Sequence, residues 1–380
     1  MSVVLTKAHD QWRERPSDQR FDSLSALLDA TREHRARAIN GTGFLHDFKV
    51  QPSADDGSLV VVGKEGKEAA PSHWAFGQLC ARAGAPAGYL RELPVEIAAN
   101  ALSHGLAKTK SDKKGSFLLR RPLDGQRLNL CAATSGKYVR VWNHEIAETL
   151  NELESQNLGW QFPEPFRRPG TEAGSVGARG QIAQKQVPVA YASDHDMFVF
   201  MVNYARPIDL DGTLLSRGFF IENSEVGAAA VRLTAFMLDY VCSNIMVWDA
   251  RNVIELKMSH VGSIRDKVLD VNGEALKTLS AYADLTEHQQ IADIRSAQKL
   301  ILGKGQAEVV STLFGKRSLG LSQKVLNAAY VVAKETPRYG NPDSAWAMVN
   351  GITEVSQRGE YADERLTIDR AAGQILTMAF

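Results

Sequence analysis

The segment KTKSDKKGSFLLRRPLDGQR at 108–127 carries seven Lys/Arg against two Asp. Just beyond it, Tyr138, Arg140 and Trp142 alternate within YVRVW, so on an extended strand they share one face. Cations in line with aromatic and guanidinium planes suit the binding of single-stranded nucleic acid. Lys113, Lys114, Arg120, Arg121 and Arg127 would contact phosphates, while Tyr138, Arg140 and Trp142 would stack on bases. A second basic feature, Phe166, Arg167 and Arg168 with Arg179 and Lys185, sits in a glycine-rich stretch. A third is Lys316, Arg317 and Lys324. The plainer alternative is a solvated lysine-rich hairpin with Trp142 in the core.

Signatures of catalysis are thinner. GKGQAEVVSTLFGKRS lacks the first glycine and the final hydroxyl of a phosphate loop. GSVGARG at 174–180 has spaced glycines but no preceding strand, and so reads as loop. HEIAE at 144–148 has Glu148 where a zinc-protease helix needs its second histidine. Asp194, His195 and Asp196 precede a strand, where neighbouring side chains point to opposite faces; a turn is the simple reading. His260, in SHVG after a strand, reads as a structural hydrogen-bonding residue. No catalytic residue, metal ligand set or cofactor is assigned. The competing functional readings are an enzyme with an acidic cleft near Asp194, Asp196, Asn223, Glu225 and His260, and a non-enzymatic host-interaction protein marked by exposed apolar surface.

The elements that would position these residues follow from periodicity. Residues 23–38 form one amphipathic helix, and 41–63, with LVVV at 59–62, form short strands. Residues 69–106 are helical, broken at Pro86 and Pro94. From 116 to 143 the period is two: FLLRR, RLNLCAA and YVRVW predict a three-stranded meander, with Leu128, Leu130, Val139 and Val141 toward the core. Helical spacing returns at 146–157, and 163–188 is a long loop. MFVFMVNY and LLSRGFFI are buried strands. Residues 225–241 place Val226, Ala229, Ala230, Leu233, Phe236, Met237 and Tyr240 on one helical face, capped by Asn223 or Ser224 and closed by Asn244. IMVWD and NVIELKM complete a sheet, and every periodic segment beyond 263 is helical.

The fold expected is α+β: a central, mostly antiparallel sheet with packed helices and a helical C-terminal third. Its parts are an N-terminal arm with short strands (1–68), an α+β core (69–262) and a helical region (263–380). The 380 residues balance 44 basic against 44 acidic side chains, which excludes a uniformly basic nucleic-acid coat and an acidic tail but leaves room for local patches. Cys80, Cys131 and Cys242 are too dispersed for a zinc ribbon or disulfide framework and read as reduced, packed thiols. The early charges exclude a signal peptide, and no run of about 18 apolar residues occurs, so a cytoplasmic protein without a membrane span is expected.

The chain resembles the phage and plasmid proteins grouped as domain-of-unknown-function family 932 over roughly residues 70–355. The matching segments are PSHWAFGQLCARAGAPAGYLRELP, LLRRPLDGQRLNLCAATSGKYVRVWN with its Ser135-Gly136-Lys137-Tyr138 turn, ASDHDMFVFMVN, RGFFIENSEVGAAAVRL, YVCSNIMVW, the His260–Gly262 turn and SAWAMVNGITE. The most specific residues are Asn223, Ser224, Glu225 and Gly227 in NSEVG, with Cys242 and Asn244 in CSN. Lys257, Met258 and Ser259 stand before His260, where the family usually has an arginine. The resemblance implies a setting among mobile elements, whose proteins often handle single-stranded DNA. It points to a DNA-binding protein that, as a homo-oligomer, would promote strand annealing in recombination. NSEVG has a reading of its own: Asn223 and Ser224 open a helix whose free N–H groups would hold a phosphate, with Gly227 allowing close approach, or they simply cap that helix.

Overall fold

The computed structural model describes residues 16–64, 66–123, 127–155, 159–162, 190–210, 213–239, 244–247, 255–262, 287–357 and 362–377. After β1 (Arg20–Phe21), Ser23 caps α1 (Leu24–Arg37) by accepting the Ala26 N–H at 3.3 Å. There follow β2 (Ala38–Phe44), β3 (Lys49–Pro52), β4 (Leu59–Val62) and β5 (Glu68–Pro71). Ser72 caps α2 (His73–Ala83) in the same way, and Gly84, at φ +70°, ends it in the left-handed conformation that glycine adopts without strain. Pro86 and Pro94 stand immediately before α3 (Ala87–Glu92) and α4 (Val95–Ala107), where the missing N–H is harmless.

Next come β6 (Lys114–Arg120), β7 (Leu128–Ser135), α5 (Asn143–Ser155) and β8 (Trp160–Gln161). The larger sheet is built from β9 (Ala190–Ala192), β10 (Met197–Leu210), β11 (Thr213–Asn223), β12 (Val231–Asp239), β13 (Asn244–Val247) and β14 (Glu255–Met258). The C-terminal third contributes α6 (Glu287–Lys299), α7 (Gln306–Gly315), α8 (Gln323–Glu335), α9 (Ala345–Gln357) and α10 (Ala362–Thr377). The fold is α+β.

The strands form two sheets. The smaller runs β2-β6-β7-β5-β4-β3, and only its β5–β7 pairing is parallel among the described strands. The larger runs β1-β9-β10-β11-β12-β13, with β8 also on β10 and β14 also on β12. β2 to β4 therefore lie in one sheet with β6 and β7, and β5 crosses residue 68. Helices α2 to α4 cover one face of the smaller sheet through Phe76, Leu79, Leu102, Phe117 and Leu130. Helices α1 and α5 cover the larger sheet through Leu27, Ile146, Leu150, Val199 and Phe219. Ile208 and Leu215, at the far end of the β10–β11 hairpin, enter the core of the C-terminal helices.

Two expectations about elements fail. Residues 231–239 are a strand, not the second half of a helix. β12 bonds β11 on one side and β13 and β14 on the other, and Val231, Leu233 and Ala235 are buried at a period of two. Apolar runs of this length satisfy both periods, and the open edges of neighbouring strands select the extended form. Asn244 consequently begins β13 opposite Asp239 and terminates no helix. Residues 138–142 are not a third meander strand either; they form an irregular segment leading into α5. Cys242, Tyr240, the 163–188 loop and residues 263–286 lie outside the described residues. Cys80 and Cys131 are free and buried, and burial raises both thiols, Cys131 to about 11.

One close contact offers a test of packing. A Cβ on Gly351 of α9 would lie 2.2 Å from the Ala329 carbonyl oxygen of α8. Gly351→Ala should thus destabilise the protein by about 1–3 kcal/mol through overpacking, read as a lower urea midpoint. In an uncrowded helix the same change stabilises by roughly 1 kcal/mol, so the sign alone decides.

Candidate nucleic-acid interface

The arginines of the 116–142 strands are expected to meet solvent, but the face of β6 that carries Arg120 with Ser116 and Leu118 does not. It is instead covered: Leu118, Cys131 and Ala132 pack with Trp142 and Val226, which arrive from the 138–142 segment and the turn after β11. Arg120 is 2 % exposed, and its guanidinium pairs with Glu225 Oε2 at 2.6 Å and with the Asp194 carboxylate. Burial opposes its charge, but Glu225 and Asp194 outweigh that and hold its pKa above the ordinary value. Arg140 is equally buried. Its Nε donates to Asn40 Oδ1 at 3.2 Å, and the guanidinium lies 5.2 Å from the Tyr138 ring centroid and 5.7 Å from that of Trp142. The alternation in YVRVW thus does bring these three side chains together, but with Arg140 and Trp142 buried and Tyr138 half-buried. Arg127 reaches Asp55 at 3.1 Å, Asp56 at 3.4 Å and Glu68 at 3.8 Å, so carboxylates of the β3–β4 turn and of β5 offset its charge.

Arg120, Arg140 and Trp142, which are buried, and Arg127, which is paired, therefore do not form the exposed cationic face expected of them, and Arg120→Ala would disturb the fold before it touched binding. The partners of Arg120 lie 74 and 105 residues away along the chain, a separation no local pattern displays. Arg167 and Arg168 lie outside the described residues. Arg121 is exposed at the opposite end of β6 from the lysines.

The NSEVG residues take a different role from the one expected. No helix follows them, so no helix N-terminus awaits an anion. Asn223 donates to the Val141 carbonyl at 2.9 Å and to Asn143 Oδ1 at 2.7 Å. Ser224 donates to the His195 carbonyl at 2.6 Å, and Glu225 Oε1 accepts the Asn143 N–H at 2.8 Å. Gly227 turns the chain at φ +78°, against Thr134 and Tyr138. His260 meets the same junction: its Nδ1 lies 3.0 Å from the Val139 carbonyl, and its ring stacks on Tyr138 at 4.7 Å. Asn223, Ser224, Glu225, Gly227 and His260 thus meet Tyr138 to Asn143 where the two sheets come together. Asp194 and Glu225 share Arg120, and no carboxylate bonds His260 among the described residues, so the acidic-histidine set forms no acid–base pair there. The turn at Asp194–Asp196 leads into β10 as expected, with Ser193 donating to Asp196 Oδ1 at 2.6 Å.

Histidines ring this junction. Burial, the first cause in each case, holds the pKa values of His34, His144 and His260 below the usual imidazole value. The unfolded chain protonates them near pH 6.5, whereas the folded chain resists until lower pH. Their contribution is complete above about pH 6.5 and is lost as pH falls below it. A melting temperature steady from pH 8 to 7 and declining toward pH 5 is expected, with a shallower decline in His260→Asn.

The cations that remain exposed gather at the other end of β6. Lys114 is paired with Phe44 of β2, and the Gly136 N–H donates to the Lys114 carbonyl, which brings Lys137 alongside. The Lys113 N–H donates to the Lys110 carbonyl, and Lys108 ends α4. Lys108, Lys110, Lys113, Lys114 and Lys137 are all exposed, form no ion pair among the described residues, and have Asp112 as the carboxylate within their loop. Lys114 Nζ sits 5.0 Å over the Phe44 ring, which stacks on the exposed His46 at 5.5 Å. Nearby, Asp47 is engaged by Lys64 at 3.0 Å. Of the phosphate-binding candidates, Lys113, Lys114 and Arg121 keep the required exposure, the two lysines at this end of β6 and Arg121 at the other. Sequence reading missed Phe44, His46 and Lys137, whose only signal was proximity across β2 and β7. Arg317 and Lys324 are exposed at the α7–α8 connection in the helical third.

No helix among the described residues is long and apolar enough to cross a membrane. No protein-family model, curated protein or solved structure matches the chain. The resemblance to the phage and plasmid proteins rests on the quoted residues alone.

Proposed function

We propose that the protein binds single-stranded DNA along the lysine-lined end of its smaller sheet. The observation that carries this reading is the group of exposed Lys108, Lys110, Lys113, Lys114 and Lys137, facing solvent without ion-pair partners among the described residues. A neutral chain that neutralises Arg120 and Arg127 with carboxylates leaves these cations unneutralised. The Phe44–His46 ring pair beside Lys114 adds flat surface of the kind on which bases stack. The resemblance to mobile-element proteins supports the choice of DNA and an annealing role, in which an oligomer aligns complementary strands.

The test is fluorescence anisotropy with labelled single- and double-stranded oligonucleotides across a salt series. Each single-strand phosphate contact contributes about −0.7 to the slope of log K against log salt, so five lysines give a slope of about −3.5. Binding that ignores salt, or that is undetectable at 50 mM salt, rejects the reading; equal affinity for duplex rejects the single-strand preference. Annealing of two complementary oligonucleotides should be accelerated by the protein.

A further inference from the structure

We infer that the exposed indole of Trp74, in the first turn of α2, is a base-stacking platform continuous with the lysine surface. This deepens the DNA-binding reading and rests on it.

Among the described tryptophans, Trp142, Trp160 and Trp346 are 5 %, 2 % and 5 % exposed, whereas Trp74 is 38 % exposed. Its one polar atom is already satisfied, because Nε1–H donates to the Val226 carbonyl at 3.1 Å. That bond anchors the ring by its edge and leaves hydrocarbon surface facing water. A large, flat group held in place loses little freedom when a ligand covers it, which favours binding.

A chain of contacts runs from Trp74 to the lysines. Gln78, one turn along α2, also donates to the Val226 carbonyl, at 2.8 Å. The next residue is Gly227, whose missing Cβ would lie 3.4 Å from the Tyr138 ring and 3.6 Å from Gln78 Nε2. The turn then continues through exposed Ala228 and Ala229, side chains too small to obstruct a strand of nucleic acid. Tyr138 follows Lys137, and Gly136 bonds Lys114. Trp74, the low Gly227–Ala229 turn, Lys137 and Lys114 therefore follow one another across the surface. Positive charge also accompanies the indole: Arg91 donates to the His73 carbonyl at 3.1 Å. The nearby Asp194 carboxylate is bound by Arg120. This arrangement supplies the two parts that sequence-tolerant single-strand binding needs, a cationic rail and an aromatic plane.

The experiment titrates the full-length protein with a fluorescent oligothymidylate at 50 mM salt, following anisotropy together with intrinsic tryptophan emission. DNA should quench the emission, and the quench should be lost in Trp74→Phe, which removes the indole but keeps a ring. Trp74→Ala should weaken binding by about 5- to 150-fold. Trp74→Phe should retain most of the affinity. The salt slope should stay at the wild-type value in both, since a stacking residue releases no counterions. Should Trp74→Ala fold poorly by circular dichroism, Trp74→Phe and the wild-type quench decide. Salt-dependent binding with unaltered affinity in Trp74→Ala, or a quench that persists in Trp74→Phe, overturns the inference and leaves the DNA reading standing. Absence of binding by the wild-type protein at low salt removes both.

Discussion

Replacing Lys110, Lys113 and Lys114 together by Ala is expected to lower affinity for a single-stranded oligonucleotide by about 500-fold at 50 mM salt. The magnitude follows from counterion release. With a slope of about 0.7 per phosphate, each contact is worth about eightfold between 1 M and 50 mM salt. The slope itself should become shallower by about 2. The three ammonium groups are exposed and form no ion pairs among the described residues, so the urea midpoint should barely move, within about 0.5 kcal/mol. Replacement by Glu should abolish binding. If the Ala variant binds like wild type with an unchanged slope, this sheet end is not the interface, wherever else DNA binds.

The second large effect concerns stability. Glu225→Ala should cost about 3–5 kcal/mol, measured by urea unfolding at 25 °C. Glu225 and Arg120 are each 2 % exposed, and the carboxylate also holds the Asn143 N–H at the start of α5. Without it, a buried guanidinium keeps only Asp194, whose side chain is 60 % exposed and correspondingly screened, and a buried amide loses its acceptor. The double replacement Arg120→Met with Glu225→Leu should recover much of the loss, because an apolar pair carries no desolvation penalty. The single variant's folded fraction should bind DNA as wild type does, since the pair lies beneath the covered face of β6. A single variant within about 1 kcal/mol of wild type would show that the junction does not depend on this ion pair.

These two outcomes separate roles that look alike along the chain. Lys113 and Arg120 stand in one basic stretch, and composition gives them equal standing. They differ because Lys113 ends an exposed loop, while Arg120 lies beneath the turn that follows β11. The alternation in YVRVW shows which side chains share a face, but not whether that face is wet. For a strand the distinction depends on what covers the sheet, and here the covering residues come from the 138–142 segment and the turn after β11.

The sequence by itself determined what local physics controls. Ser23 and Ser72 begin helices because their hydroxyls accept free N–H groups, and Pro86 and Pro94 precede short helices because proline cannot continue one. The apolar β10 and β11 segments and the helical periodicity of the C-terminal third likewise suffice for an α+β fold. Tertiary structure alone decided the rest. Residues 231–239 satisfy two periods, and pairing on both sides made them a strand. Arg120, Arg140 and NSEVG lie where the two sheets come together because partners from distant positions met them there. Whether a charge is neutralised or left to solvent depends on neighbours in space, and those neighbours are fixed only once the two sheets have come together.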